Sequence, residues 1–428
     1  MKVKNIEQFG EQLYYDTLDN GLDVFLLPRN EMEKTYGIFS TKYGSIDQTF
    51  TPLGKDEYTT VPDGIAHFLE HKMFEKEEGD IFQQFTKQGA SVNAYTSFTR
   101  TSYLFSSTEN VDENVETLLN FVQEPYFTEE TVEKEKGIIA QEIKMYDDQP
   151  DWRLFFGMIG TMYQNHPVKI DIAGTVDSIQ KITKDDLYTC YETFYHPSNM
   201  ILFVTGNFEP EAMMKNIKQN QDKKTFRPAD EINRKFPDEP TQVAEKEKEI
   251  RMPISISKCL VGIKEDPSQL TKENIPKLKL VTQMVYDFLF SKSGAYYEEL
   301  YQEGLIEEQF DYEIHIEQNF SFSFVGGDTK SPKKLSDKLQ SMLLKLKDEE
   351  WTEESFERMK RKKLGDLIRR LNSLEGTANH FIDFYQLDLD YFDIYQTLDD
   401  MTKDEFESIV KQWISEDRLS TCYVVPES

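Results

Sequence analysis

Apolar residues along the chain follow two rhythms, one of period two and one of helical spacing, and the order of those rhythms occurs twice. Strand-like runs cover 35–47 (TYGIFSTKYGSID), 101–110 (TSYLFSSTEN) and 200–208 (MILFVTGNF). A second set covers 256–266 (ISKCLVGIKED), 320–329 (FSFSFVGGDT) and 419–427 (LSTCYVVPE). Between the strands the spacing becomes helical. VDENVETLLNFVQ leads into FTEETVEKEK at 127–136, and KKLSDKLQSMLLKLKDEE leads into WTEESFERMK at 351–360, an offset of 224 residues. Thr128 and Thr352 each precede glutamates, with Thr131 and Ser355 three residues on, so both mark helix starts. QKITKDDLYTCYETFY (180–195) is likewise echoed by DDMTKDEFESIVKQWI (399–414), again a Thr-capped amphipathic helix.

Any single echo between helices rich in Glu and Lys is weak, but several in the same order indicate an internal repeat. The stretch 219–250 between the copies is charged, holds three prolines and shows no sustained periodicity. The expected fold is therefore α+β, with two homologous units at 1–222 and 248–428 and a charged linker at 223–247. Each unit should pack a mainly antiparallel sheet against long helices.

Composition narrows the function. The 428 residues carry 78 acidic against 49 basic side chains, a formal net charge of -29. Such a surplus repels phosphate backbones and anionic lipid, so neither nucleic acid nor a membrane surface is an expected partner. Cys190, Cys259 and Cys422 are odd in number and far apart, which suits reduced thiols and a cytoplasmic setting. The first residues lack the apolar core of a signal peptide, and no run of 18 apolar residues occurs.

The candidate chemistry lies at 64–74, GIAHFLEHKMF. Only six histidines occur in the chain, and two of them, His67 and His71, stand four apart with Glu70 between. Asp63 and Gly64 offer a helix start, and Ile65, Phe68, Leu69 and Met73 give an apolar side. On a helix, residues four apart share a face, so both imidazoles can reach one Zn²⁺. Glu70 can lie beside that ion and take a proton from an acidified water. A chance His-x-x-Glu-His in a chain this poor in histidine is expected on the order of once per hundred such sequences. A catalytic zinc also needs a third protein ligand and an open position. Glu135 and Glu142 lie seven apart on one face of the downstream helical stretch. At the 224-residue offset they map to Met359 and Asp366, and the second copy has no His-x-x-Glu-His.

On these residues the sequence resembles the pitrilysin/insulinase family of inverzincin metallopeptidases, among them bacterial zinc-bearing subunits of about this length. The resemblance rests on His67-Phe68-Leu69-Glu70-His71, the Glu135-x6-Glu142 pair, NHPVKIDIAGTVDSIQKIT (165–183), NMILFVTGNF (199–208) and the doubled unit. It implies the roll of the mitochondrial-processing-peptidase/LuxS type and one Zn²⁺ per chain, held by His67, His71 and Glu142. It further implies Glu70 as general base, with Glu135 supporting the site. In GASVNAYTSFTRTSYLFSS (89–107), the family's substrate strand maps onto Asn93, Ala94 and Tyr95. A peptide substrate would lie there by β-augmentation.

One departure matters. Family members complete in one chain place an Arg and a Tyr near a Gly-Leu turn of the second half. Here ELYQEGLIEEQF (299–310) puts Tyr301 where the Arg is expected and Glu307 where the Tyr is expected, and holds no Arg. An anionic Glu307 cannot donate a hydrogen bond to an oxyanion. The expectation is a heterodimer in which a related subunit without zinc supplies that pair, a homodimer being the other arrangement. A non-catalytic scaffold subunit is the rival reading, against which the intact Glu70 argues.

Overall fold

The structure, a computed structural model, describes residues 1–77 and 79–427. The first compact unit comprises residues 1–143, 171–236 and 371–386. Its seven-stranded sheet uses β1 (Lys2–Ile6), β2 (Glu11–Thr17), β3 (Asp23–Pro28), β4 (Thr35–Thr41), β5 (Ala90–Thr96), β6 (Thr101–Ser107) and β7 (Met200–Gly206). They lie in the order β1-β2-β3-β7-β4-β6-β5, with only β3 and β7 parallel. Central β4 and β7 are buried along their whole length, and MILFVTG in β7 has the continuous apolar reading of a strand covered on both faces.

The second unit comprises residues 144–170, 237–370 and 387–428. Its sheet uses β8 (Glu247–Met252), β9 (Ser257–Lys264), β10 (Phe310–Ile316), β11 (Ser321–Thr329) and β12 (Leu419–Pro426), in the order β8-β12-β9-β11-β10. Here too one pair, β8 with β12, is parallel. The order repeats the β3-β7-β4-β6-β5 part of the first sheet, strand for strand.

Helices α1 (Ile65–Met73) and α2 (Glu129–Asp147) carry the candidate site residues, α3 (Pro150–Met162) packs on a sheet, α4 (Glu353–Leu371) is the second copy's counterpart of α2, and α5 (Leu374–Gln386) packs on a sheet. The 224-residue offset relates α2 to α4 and α3 to α5 at both ends. The expected Thr starts form: Thr128 Oγ1 accepts from Thr131 N–H at 3.2 Å, and Thr352 Oγ1 from Ser355 N–H at 3.1 Å.

The compact units are not contiguous in sequence. Helix α3, from the first copy, packs on β8, β9 and β12 of the second sheet. Helix α5, from the second copy, packs on β4 and β7 of the first. The expected copies at 1–222 and 248–428 rest on sequence similarity, while compactness follows burial, and each copy lends one helix to the other's sheet. At the repeat-equivalent position, Gly157 on α3 lies against Ile250 and Cys422, so close that a Cβ would stand 2.7 Å from Ile250 Cδ1. On α5 the same position is Phe381, whose ring packs 4.5 Å from that of Phe203 and 4.8 Å from that of Phe25.

The charged stretch 223–247 holds no helix, yet it is tied down within each unit. Arg234 Nε donates to Asp47 at 2.8 Å in the first unit. In the second, the Glu239 carboxylate accepts the N–H groups of Gln164, Asn165 and His166 at 2.9, 2.6 and 2.7 Å. All three cysteines are free and buried. No helix among the described residues is long and apolar enough to cross a membrane.

Candidate metal centre

Helix α1 begins at Gly64, whose φ is +87°, a conformation that disfavours any side chain. A Cβ there would also meet the Ala173 carbonyl oxygen at 2.4 Å. This start fixes the rotation of α1. Ile65, Ala66, Phe68, Leu69 and Met73 are buried, while His67 and His71 present their rings 4.6 Å apart. Helix α2 brings Glu142 opposite them. His67 Nε2 stands 3.8 Å from Glu142 Oε1, and His71 Nε2 stands 3.6 Å from Glu142 Oε2. Two turns earlier on α2, Glu135 Oε1 lies 3.1 Å from His71 Nδ1.

Among the described residues, His67, His71 and Glu142 form the group whose ligand atoms all fall within 4.8 Å of one another. Ligand atoms of a tetrahedral zinc at 2.0–2.1 Å bond lengths would sit about 3.3 Å apart. The separations to Glu142 exceed that by a few tenths of an ångström, and two nitrogens with one carboxylate suit zinc chemically. Protonation agrees. Burial pushes the His67 imidazole down to about 4, so at neutral pH it is the uncharged, metal-binding form and its approach to Glu142 is not an ion pair. His67 Nδ1 is buried without a hydrogen-bond partner among the described residues. Burial alone would lower His71 as well, but the hydrogen bond with Glu135, with Glu70 and Glu142 nearby, carries it above its ordinary value. The residues present therefore fit the ion.

Glu70 is 8% exposed, and burial raises its carboxyl above the usual range, against the opposing pull of Thr96 and His71. Its Oε2 accepts a hydrogen bond from Thr96 Oγ1 at 2.7 Å. Thr96 ends β5, and β5 is an outer strand of its sheet. Asn93, Ala94 and Tyr95 all lie on that strand. Asn93 is exposed, with its Oδ1 accepting the Ala94 N–H at 2.9 Å. The Tyr95 hydroxyl donates to Asn379 Oδ1 at 2.7 Å and accepts from Arg100 Nε at 3.1 Å, so this side chain is committed to α5. Arg100 in turn pairs with Asp383 of α5.

Residues 57–176, which contain every candidate site residue, match the family described as Insulinase (Peptidase family M16). Residues 181–363 match the Peptidase M16 inactive domain. Over the whole of both chains the protein is 53% identical to one named Uncharacterized zinc protease YmfH, of Bacillus subtilis (strain 168). The chain belongs to the M16 peptidase family.

Other M16 relatives agree. Zinc protease PqqE of Helicobacter pylori (strain ATCC 700392 / 26695) is 23% identical over 96% of this chain and 92% of its own. A crystal structure of an M16-like peptidase from Alicyclobacillus acidocaldarius superimposes with a TM-score of 0.93 at 38% identity, covering 97% of this chain and 99% of that one. A Helicobacter pylori protease structure shares the fold at a TM-score of 0.84 and 22% identity. Proteins related to this M16 chain are thus named zinc proteases.

The second M16 unit lacks the donor set. Met359, at the position of Glu135, is buried, and Asp366, at that of Glu142, pairs with Arg369 at 3.0 Å. Tyr301 is 65% exposed, and Glu307 is paired with Lys330 at 2.7 Å. The sequence analysis does not single out Thr96, because it is the packing of α1 on β5 that brings it to Glu70. The register partner Thr101 and the run TSFTRT around the turn are the sole sequence signal that hydroxyls gather there.

Proposed function

We propose that the protein is a zinc-dependent endopeptidase subunit that hydrolyses short or unfolded peptides. The carrying observation is the convergence of His67, His71 and Glu142 from two helices, with a buried carboxylate, Glu70, on the same helix as both imidazoles. His67, His71 and Glu142 would hold the ion, and Glu135 orients the His71 ring through Nδ1. When bound, zinc supplies a Lewis acid that polarises the scissile carbonyl and lowers the pKa of a water. Glu70 takes the proton of the attacking water on its carboxylate and passes it to the leaving amine.

The substrate lies extended along β5, beside Asn93, Ala94 and Tyr95. The sheet edges support this reading. Lys2 and Lys4 stud β1; Glu247, Lys248, Glu249 and Arg251 stud β8; Asp311 and Glu313 sit in β10. Charged residues on outer strands discourage pairing with other chains. Of the four outer strands of the two large sheets, β5, which reads ASVNAYT, is the one that carries no charge, which leaves it suited to receive a peptide backbone.

A related subunit without zinc supplies the Arg/Tyr pair that the 299–310 segment lacks, and the three free thiols suit a cytoplasmic location. The test is Glu70→Gln, assayed on a quenched peptide with the related subunit added and with its zinc content measured in parallel. Hydrolysis should fall at least ~10³-fold with zinc retained. Unchanged turnover would remove Glu70 from its role.

A further inference from the structure

We infer that Thr96 is a positioning residue that ties the strand on which the peptide lies to the general base. The inference rests on the proposed function and goes beyond it in naming how Glu70 is aimed.

Hydroxyl proton accounting carries the case. Thr96 Oγ1 has one proton to donate. Two acceptors are within reach, Glu70 Oε2 at 2.7 Å and Thr101 Oγ1 at 3.4 Å. Thr101 directs its own proton to the Tyr43 carbonyl at 3.0 Å, so the contact between the two threonines is a loose one. The short bond to the carboxylate therefore takes the Thr96 proton. With Oε2 fastened, Oε1 is left without a hydrogen-bond partner among the described residues, and it is the oxygen available to receive a proton.

The strand supplies the rigidity. Thr96 pairs in register with Thr101, next to Tyr95, whose hydroxyl is held by Asn379 and Arg100. Behind them, Tyr103 and Tyr195 are fully buried and joined hydroxyl to hydroxyl at 2.8 Å. A peptide that pairs with β5 thus seats against the same strand that holds the base in place. Base and substrate share one reference frame, a requirement for placing reacting atoms within a few tenths of an ångström.

The experiment compares Thr96→Val, which removes the hydroxyl, with Thr96→Ser, which keeps it. Both are assayed on a quenched peptide in the presence of the related subunit lacking the zinc motif, beside wild type and Glu70→Gln treated alike, with zinc content and Tm recorded. Outer partners of catalytic groups cost ~10–100-fold when lost. T96V should lose kcat by that factor with KM within ~3-fold and zinc retained, while T96S restores most of kcat. A T96V enzyme with wild-type kcat, or one that loses only KM or zinc, overturns the inference. Should T96V fail to fold, Thr96→Ala against T96S carries the same comparison. A crystal structure of the hydroxyl-free variant gives a reading independent of turnover: the Glu70 carboxylate should rotate away, and an unmoved Glu70 overturns the inference. If E70Q is fully active, the proposed function fails instead; if E70Q is dead and T96V normal, only the inference falls.

Discussion

At the scale of single residues, the i, i+4 pair His67/His71 was readable from the sequence because helix geometry alone fixes their common face. Glu142 was not readable in that way. Glutamate is abundant in this chain, and only the packing of α2 against α1 distinguishes Glu142 from a surface charge. Glu135 gives a test at this scale. Its carboxylate fixes the His71 ring and helps hold that imidazole above its ordinary value. A proton on His71 must leave before a metal can bind, so zinc affinity should weaken as pH falls, starting above the range of an ordinary imidazole. Glu135→Ala removes both effects. Isothermal titration should show ~10–100-fold weaker zinc binding near pH 8 and a shallower loss toward pH 6. Unchanged affinity at both pH values would separate Glu135 from the site.

At the scale of elements, helices and central strands followed the spacing of apolar residues closely. The run FTEETVEKEK became the start of α2, and WTEESFERMK the start of α4, at the same offset. The exchange of α3 and α5 between the two sheets was hidden. An amphipathic helix shows the same 3.6-residue rhythm whichever sheet it covers, and no local signal names the partner. The close fit at Gly157 records that partner. Gly157→Leu would drive a side chain into Ile250 and Cys422, beneath a sheet with little room to yield. It should destabilise the chain by ~1–3 kcal/mol in urea unfolding. A midpoint equal to that of wild type would mean that α3 does not pack there.

At the scale of the whole molecule, duplication explains why half the sequence looks equipped and half does not. Both copies keep the strand order and the paired long helices, while only the first keeps the His-x-x-Glu-His run. The second copy offers Tyr301 and Glu307 where an Arg and a Tyr are expected, a lack visible in sequence because it concerns residue type rather than placement. Zinc-loaded protein alone should therefore cleave a quenched peptide poorly, and addition of a related subunit lacking the zinc motif should raise kcat/KM by ~10²-fold or more. Full activity alone would contradict the heterodimer. Beneath all of this lies the claim that α1 and α2 together hold one ion, and elemental analysis tests it most directly. Wild type and Glu70→Gln should each carry one zinc per chain, and His71→Ala and Glu142→Ala should carry almost none. Zinc in H71A and E142A at the wild-type level, or none in wild type supplied with it, would contradict the account.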